Sequence, residues 1–314
     1  MIASLALLAI GLTLLVVGPR LAVASWTRQA PRLAILTWQA LTVSTVAALV
    51  LAGVTLLIPV TALADDLGAV LHACAVSITT AYATPEFLPG RLLGTVLAGA
   101  VPAWLLVCAA RVLVAGWRSR RALHRSLDLV AEPGAGTGGV VVLEADAPAA
   151  FCVPGRTGHI VVSRGALDRL SGRELDGVLA HEAAHLSGRH NLAVALSEIL
   201  LRAFPRVPLF AVAAGQTRDL IELLADDAAL EAVDRVSLAS AIVSLAEMRA
   251  PAATLAMAQN AAALRVTRLL APEPPMTPWR HRLGAVAALA IVAAPLFLAG
   301  YPALSAALSD LCNI

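Results

Sequence analysis

This sequence predicts a mainly α, multi-pass membrane fold with an α+β segment inserted between the third and fourth spans, and three observations predict it. Apolar residues make up 59% of the 314 and charged residues only 14%, against roughly 45–50% and 25% in soluble domains, and mean hydropathy is +0.81. Four runs, 2–23, 33–60, 92–115 and 283–308, reach the roughly 20 apolar residues that a helix needs to cross a bilayer. Residues 116–282 instead mix short β-branched runs, helical periodicity and Pro/Gly breakers, the pattern of a water-facing domain. The expected organisation is a membrane domain over 1–115, a soluble domain over 116–282, and a fourth span with a short outer tail over 283–314.

The first run ends in Ala22-Val23-Ala24, which resembles a processing site, but no basic residue precedes the run as a signal peptide requires, so it is read as a span. Arg20, Arg28 and Arg32 follow it; Arg118, Arg120, Arg121 and Arg125 follow the third run; Arg280 and Arg282 precede the fourth. The segment 61–90 carries Asp65, Asp66 and Glu86 and no arginine. The positive-inside rule then places both termini outside and 116–282 in the cytoplasm of a cell inner membrane. Of the four cysteines, Cys74 and Cys312 share the oxidising side, where the expected state is two unpaired thiols with a bridge left open, and Cys108 reads as a small apolar residue within a helix.

All 23 basic residues are arginine and the formal charge is only +2. Lysine Schiff-base chemistry is excluded, and no concentrated basic stripe points to direct nucleic-acid binding.

Within 116–282, the arginine-rich 116–130 reads as a helical stalk at the lipid headgroups. EPGAGTGG, 132–139, breaks it. Residues 140–143, 149–153 and 160–162 read as short strands of a small sheet, and a short helix opens at Ser163. Ser171 with Glu174 three residues later forms a capping box for a helix ending near Gly188. The run 192–215, interrupted by Arg202, Pro205, Arg206 and Pro208, is expected to form a helix and loop at or just within the membrane surface, with a hairpin through the bilayer as the alternative. A further helix covers about 217–233, and APEPPMTP, 271–278, leads into the last span.

The chemistry lies in His181-Glu182-Ala183-Ala184-His185. Two imidazoles four residues apart share one helix face and can hold one zinc ion, while Glu182 between them can accept a proton from the water that attacks a carbonyl. A catalytic zinc site takes three protein ligands. His190 is one residue early for the metzincin pattern, whose last histidine position is Asn191 here, and continued helix would turn it away from His181, so a loop or the cleft wall is its expected place. Glu222 is the better third ligand; Asp226, one turn on, can accept from the outer N–H of a ligand histidine. Arg265 and Arg268 are candidates for stabilising the oxyanion, weighed against a solvated stripe. Cys152 and His159 carry no expected chemistry, but the strand edge near them can bind an extended peptide.

HEAAH, the downstream ELLADDAAL and the lead-in FCVPGRTGHIVVSRGALDRLSGRELDGVLAHEAAH together resemble the gluzincin membrane peptidases, most of all the BlaR/MecR family, with HtpX and the CAAX prenyl proteases as more distant relatives. The resemblance implies one zinc per chain on His181, His185 and Glu222, Glu182 as base, and a zincin-type peptidase domain. It also implies a protein or peptide substrate, a BlaI-like transcriptional repressor being favoured, with homodimerisation left open. BlaR/MecR sensors carry a penicillin-binding domain after the last helix, and this sequence ends at Ile314 without one, so direct β-lactam sensing is not expected. A non-catalytic zinc-stabilised transducer, an HtpX-like quality-control protease and a transporter with an incidental HExxH are the competing readings. A transporter would need ionisable residues inside its spans, where Arg111 stands alone.

Overall fold

The structure is a computed structural model, and it describes residues 2–57, 88–132, 139–155, 158–248, 255–272 and 274–311. Helix α1 (Ile2–Val17) passes through a 3₁₀ turn (Gly18–Val23) and a single helical turn, α2 (Trp26–Gln29), into α3 (Pro31–Leu57). Helix α4 (Leu88–Thr95) continues through a π-helical stretch (Val96–Ala100) into α5 (Val101–Val130). The strands are β1 (Ala131–Glu132), β2 (Val140–Leu143), β3 (Ala150–Val153) and β4 (His159–Ser163). Then come α6 (Arg164–Arg169), α7 (Gly172–Ser187), α8 (His190–Ala203), α9 (Pro208–Ala229), α10 (Arg235–Met248), α11 (Leu255–Leu270) and α12 (Pro278–Leu311).

Among the described residues, four helices are long and apolar enough to cross a membrane: Ala3–Val23, Pro31–Leu57, Pro89–Leu127 and Pro278–Tyr301. The third and fourth outrun the expected apolar limits because helix propagates into the flanking arginine-bearing turns, so the 116–130 stalk is the continuation of α5. The readings on 61–87, Cys74 and Cys312, and most of the 132–139 breaker, lie outside the described residues.

The sheet has the order β1-β2-β4-β3, with β2 and β4 parallel and the outer pairs antiparallel. Successive residues of β4 face opposite sides, as strand geometry requires. Val162 joins Ala150, Ala166, Leu170, Val178 and Ala241 in one core, while Val161 joins Leu127 and Val153 in another. The sheet is thus held between α7 on one face and the end of α5 on the other. β3 is an edge strand packed beside α7.

The run 192–215 resolves into a helical hairpin, with α8 and α9 joined by residues 204–207. Arg202 of this run pairs with Glu198 at 2.8 Å, and Glu198 also takes Arg218 from the following helix at 2.8 Å. The hairpin packs on the apolar helices. Trp104 Nε1, near the middle of the third apolar run, donates to Ala203 O at 3.1 Å. Gln39 of α3 donates to Ala193 O (3.3 Å) and Ser197 Oγ (3.0 Å), and Ser197 in turn donates to Thr217 of α9 (3.3 Å). Around these polar links lies a core of Ala34, Ile35, Trp38 and Leu41 from α3 with Leu209, Ala213, Leu220, Ile221 and Leu223 from α9. The helix expected over 217–233 therefore starts earlier, at Pro208, because its first half is apolar surface packed against α3.

Candidate metal centre

Helix α7 begins as the sequence requires. Ser171 Oγ accepts from Glu174 N, Glu174 Oε2 accepts from Ser171 N at 2.8 Å, and the other carboxylate oxygen takes a hydrogen bond from Ser240 Oγ that ties α10 to this end. Two turns on, α7 presents His181 and His185 with their Nε2 atoms 3.1 Å apart. Glu222 of α9 completes the group, with Oε2 3.4 Å from His181 Nε2 and Oε1 3.6 Å from His185 Nε2. His181, His185 and Glu222 offer one ligand atom each within 4.8 Å of one another.

That triangle fits a metal on chemical grounds. Metal–nitrogen and metal–oxygen bonds of about 2.0–2.2 Å give a tetrahedron with edges of about 3.3–3.6 Å. Three electron-rich atoms facing one another at such distances need a cation or proton between them.

The outer atoms of the ligands are also held. His181 Nδ1 lies 3.0 Å from Asp226 Oδ1, so its N–H is turned outward and its Nε2 lone pair inward. Burial alone would lower the His181 imidazole, but the hydrogen bonds to Asp226 and Glu222 outweigh it and raise it to about 9. Asp226 is 1% exposed. Burial works to raise its carboxyl, yet His181 and Arg265 hold it below the usual carboxylate range. Glu222 is likewise lowered: burial opposes, and His181 and Arg265 prevail. His185 is lowered by burial and by the neighbouring His181 charge, which leaves it neutral and ready to ligate.

His190 was expected in a loop or on the cleft wall. It is instead buried at the first position of α8, with Nδ1 3.0 Å from Nδ1 of His185. The helix ends near Gly188 as expected, but the chain turns at Arg189, which is left-handed (φ 49°), straight into a new helix. Gly188 closes α7 in right-handed geometry, and its value is space: a Cβ there would lie 2.4 Å from His190 Nε2.

Arg265 of α11 grips Asp226 through Nε (2.7 Å) and Nη2 (2.6 Å) and reaches Glu222 Oε2 through Nη1 (3.0 Å). Arg268, one turn later, has a different set of partners: both carboxylate oxygens of Asp227 (2.7 and 2.9 Å) and the backbone carbonyl of Arg28 (3.3 Å). Glu182 lines the same cavity as the ligands. Cys152, on edge strand β3, lines the same cavity, and burial together with the negative charge of Glu182 pushes its thiol up to about 12. Sequence reasoning gave Cys152 no role; a contact between a strand and a helix leaves no periodic signal.

A helix bearing two imidazoles, a carboxylate from a second helix and an edge strand beside them define a metallopeptidase. Residues 118–276 match the profile of peptidase family M48, and the chain belongs to that family, whose members are metal-dependent and typically use zinc. No curated protein and no solved structure matches the chain.

Proposed function

We propose that this protein is a zinc endopeptidase of the cell inner membrane that cuts a cytoplasmic or membrane-proximal protein, in a regulatory role. The observation that carries the reading is the His181–His185–Glu222 group, whose ligand atoms lie within 4.8 Å of one another, beside Glu182 in one cavity. A zinc ion on those three residues supplies a Lewis acid that polarises water and the scissile carbonyl.

The chain's own residues do the rest. Asp226 and His190 fix the outward nitrogens of His181 and His185, so both inner nitrogens are aimed at the metal position, that of His181 once it gives up its proton. Arg265 holds Asp226 and Glu222 in place, and it is the arginine we assign to offsetting charge as the carbonyl oxygen becomes an oxyanion. Glu182 accepts the proton of the attacking water and passes it to the leaving amine. Edge strand β3, whose Phe151 and Cys152 line the cavity, is the place where an extended peptide adds alongside the sheet.

The distribution of arginines supports a topology with both termini outside and the metal centre at the cytoplasmic face. By resemblance to the BlaR/MecR peptidases, a BlaI-like repressor is the favoured substrate. A quality-control role like that of HtpX uses the same chemistry and differs in what is cut.

The test is Glu182→Gln. The purified variant retains one zinc per chain and loses hydrolysis by about 100-fold or more. A variant that cleaves as fast as the parent overturns the mechanism. A variant that loses cleavage in the test tube yet still signals in cells favours the non-catalytic transducer.

A further inference from the structure

The reacting groups occupy one end of a cavity of about 1120 Å³. Another part of its wall comes from the turn between the first two apolar helices: Ala22, Val23, Ala24, Thr27 and Arg28 all line it. The lining also includes the apolar Leu220, Leu223, Leu238, Ile242 and Leu245.

The turn is fixed in place from three sides. Leu21, Ala22 and Trp26 pack against the core shared by α3 and α9. Gly18 lies so close to α9 that a Cβ on it would come 2.6 Å from Leu209 Cδ1. The third anchor is Arg268, which bridges the Asp227 carboxylate on α9 and the carbonyl of Arg28.

Helices α9 and α11 therefore carry two arginine–aspartate pairs side by side. Arg265–Asp226 faces the metal ligands, and Arg268–Asp227 faces the turn. Between them they set the metal end and the turn side of the cavity relative to one another. What the turn presents is Val23, an apolar side chain that lines the cavity and yet is 90% exposed. An uncovered apolar side chain in the same cavity as the reacting groups is surface that a bound peptide can cover.

We propose that the turn from Gly18 to Arg28 is a specificity element: it receives an apolar side chain of the peptide cut at the metal centre, and Arg268 is the positioning residue that holds it there. The proposal rests on the peptidase reading and adds the substrate class, a peptide with a bulky apolar residue near its scissile bond.

The experiment uses the full chain in lipid nanodiscs, zinc-loaded, with a mixed peptide library whose cleavage positions are sequenced. Val23→Asp and Arg268→Gln are compared with the parent. Val23 closes the first apolar helix and is 90% exposed, so its replacement removes little protein packing, and zinc content and unfolding of each variant show that it has folded. Both variants are expected to keep their zinc. Each raises KM about tenfold for peptides with an apolar residue beside the cut, with kcat within about threefold, and removes the apolar preference at that position.

A second arm needs no turnover: a fluorescent apolar peptide binds the Glu182→Gln protein, and adding Val23→Asp weakens binding about tenfold. Unchanged cleavage positions and KM in both variants overturn the proposal. So does a fall in kcat alone for Arg268→Gln, which would place that arginine at the reacting atoms. If the parent cuts nothing, the peptidase reading fails, and the binding arm still decides: binding indifferent to Val23→Asp overturns the role of the turn.

Discussion

Replacing Asp226 by asparagine keeps the shape of a side chain that is 1% exposed and removes its charge. Three contacts depend on that charge: His181 Nδ1 at 3.0 Å and Arg265 through Nη2 at 2.6 Å and Nε at 2.7 Å. Removing an outer partner of a metal-bound histidine lowers metal affinity by about 10–100-fold, or about 1.4–2.7 kcal/mol. A separate cost falls on Arg265, which retains only Glu222 Oε2, at 3.0 Å, as a charged partner. Hydrogen bonds to charged groups contribute about 1.5–3 kcal/mol each, and removing one partner of a buried pair costs about 3–5 kcal/mol. Because asparagine still offers one carbonyl oxygen, we expect a loss of about 2–4 kcal/mol of metal-free stability. The assay is a competition titration with a zinc chelator on the purified protein, alongside denaturant unfolding without metal. A cycle that adds Arg265→Gln should reveal a coupling of about 1–3 kcal/mol between the two residues. Zinc affinity within twofold of the parent, together with stability within about 0.5 kcal/mol, would refute the idea that Asp226 aims His181 and anchors Arg265.

Gly188→Ala places a methyl where His190 Nε2 lies 2.4 Å away; the expected outcome is displacement of His190, a stability loss of about 1–3 kcal/mol and a smaller fall in zinc affinity than at Asp226. Chelator competition and unfolding measure both, and a variant indistinguishable from the parent removes His190 as the partner of His185. Without metal, His181 is raised from 6.5 to about 9, so its contribution to stability is complete below about 6.5 and is lost as pH rises through about 9. Zinc must displace that proton: binding at pH 7 should release about one proton, and affinity should climb about tenfold per unit from pH 7 towards 9. Calorimetry in buffers of different ionisation enthalpy checks this, and an affinity flat across that range would count against a protonated His181 in the metal-free protein.

Much of this site was legible because its signals are local. The Ser171–Glu174 box marks where α7 starts, and its phase then places His181 and His185 on one face. The strand limits came through equally well, since β-branched runs between glycine and proline leave little freedom. The place of His190 was hidden by one residue: periodicity carried past Gly188 turns it away, while a left-handed Arg189 brings it back. The 192–215 run misled for a different reason. Its Arg202 looks incompatible with a packed hairpin until Glu198 is seen between it and Arg218, and pairing across 20 residues leaves no trace in a hydropathy profile. Arg265 and Arg268, one helical turn apart, read as equivalent, and only their partners on α9 separate them.

The burial of Ile221 and Leu223 against α3 has a practical consequence. These residues flank Glu222, so the third carboxylate is seated on a helix whose footing is the second long apolar helix, α3. A fragment cut at residue 115 would carry every putting-together instruction for the ligands in its sequence and lack the surface that α9 leans on. Leucine, phenylalanine and isoleucine side chains would be bared along that helix, and the excised piece would clump and bind zinc poorly.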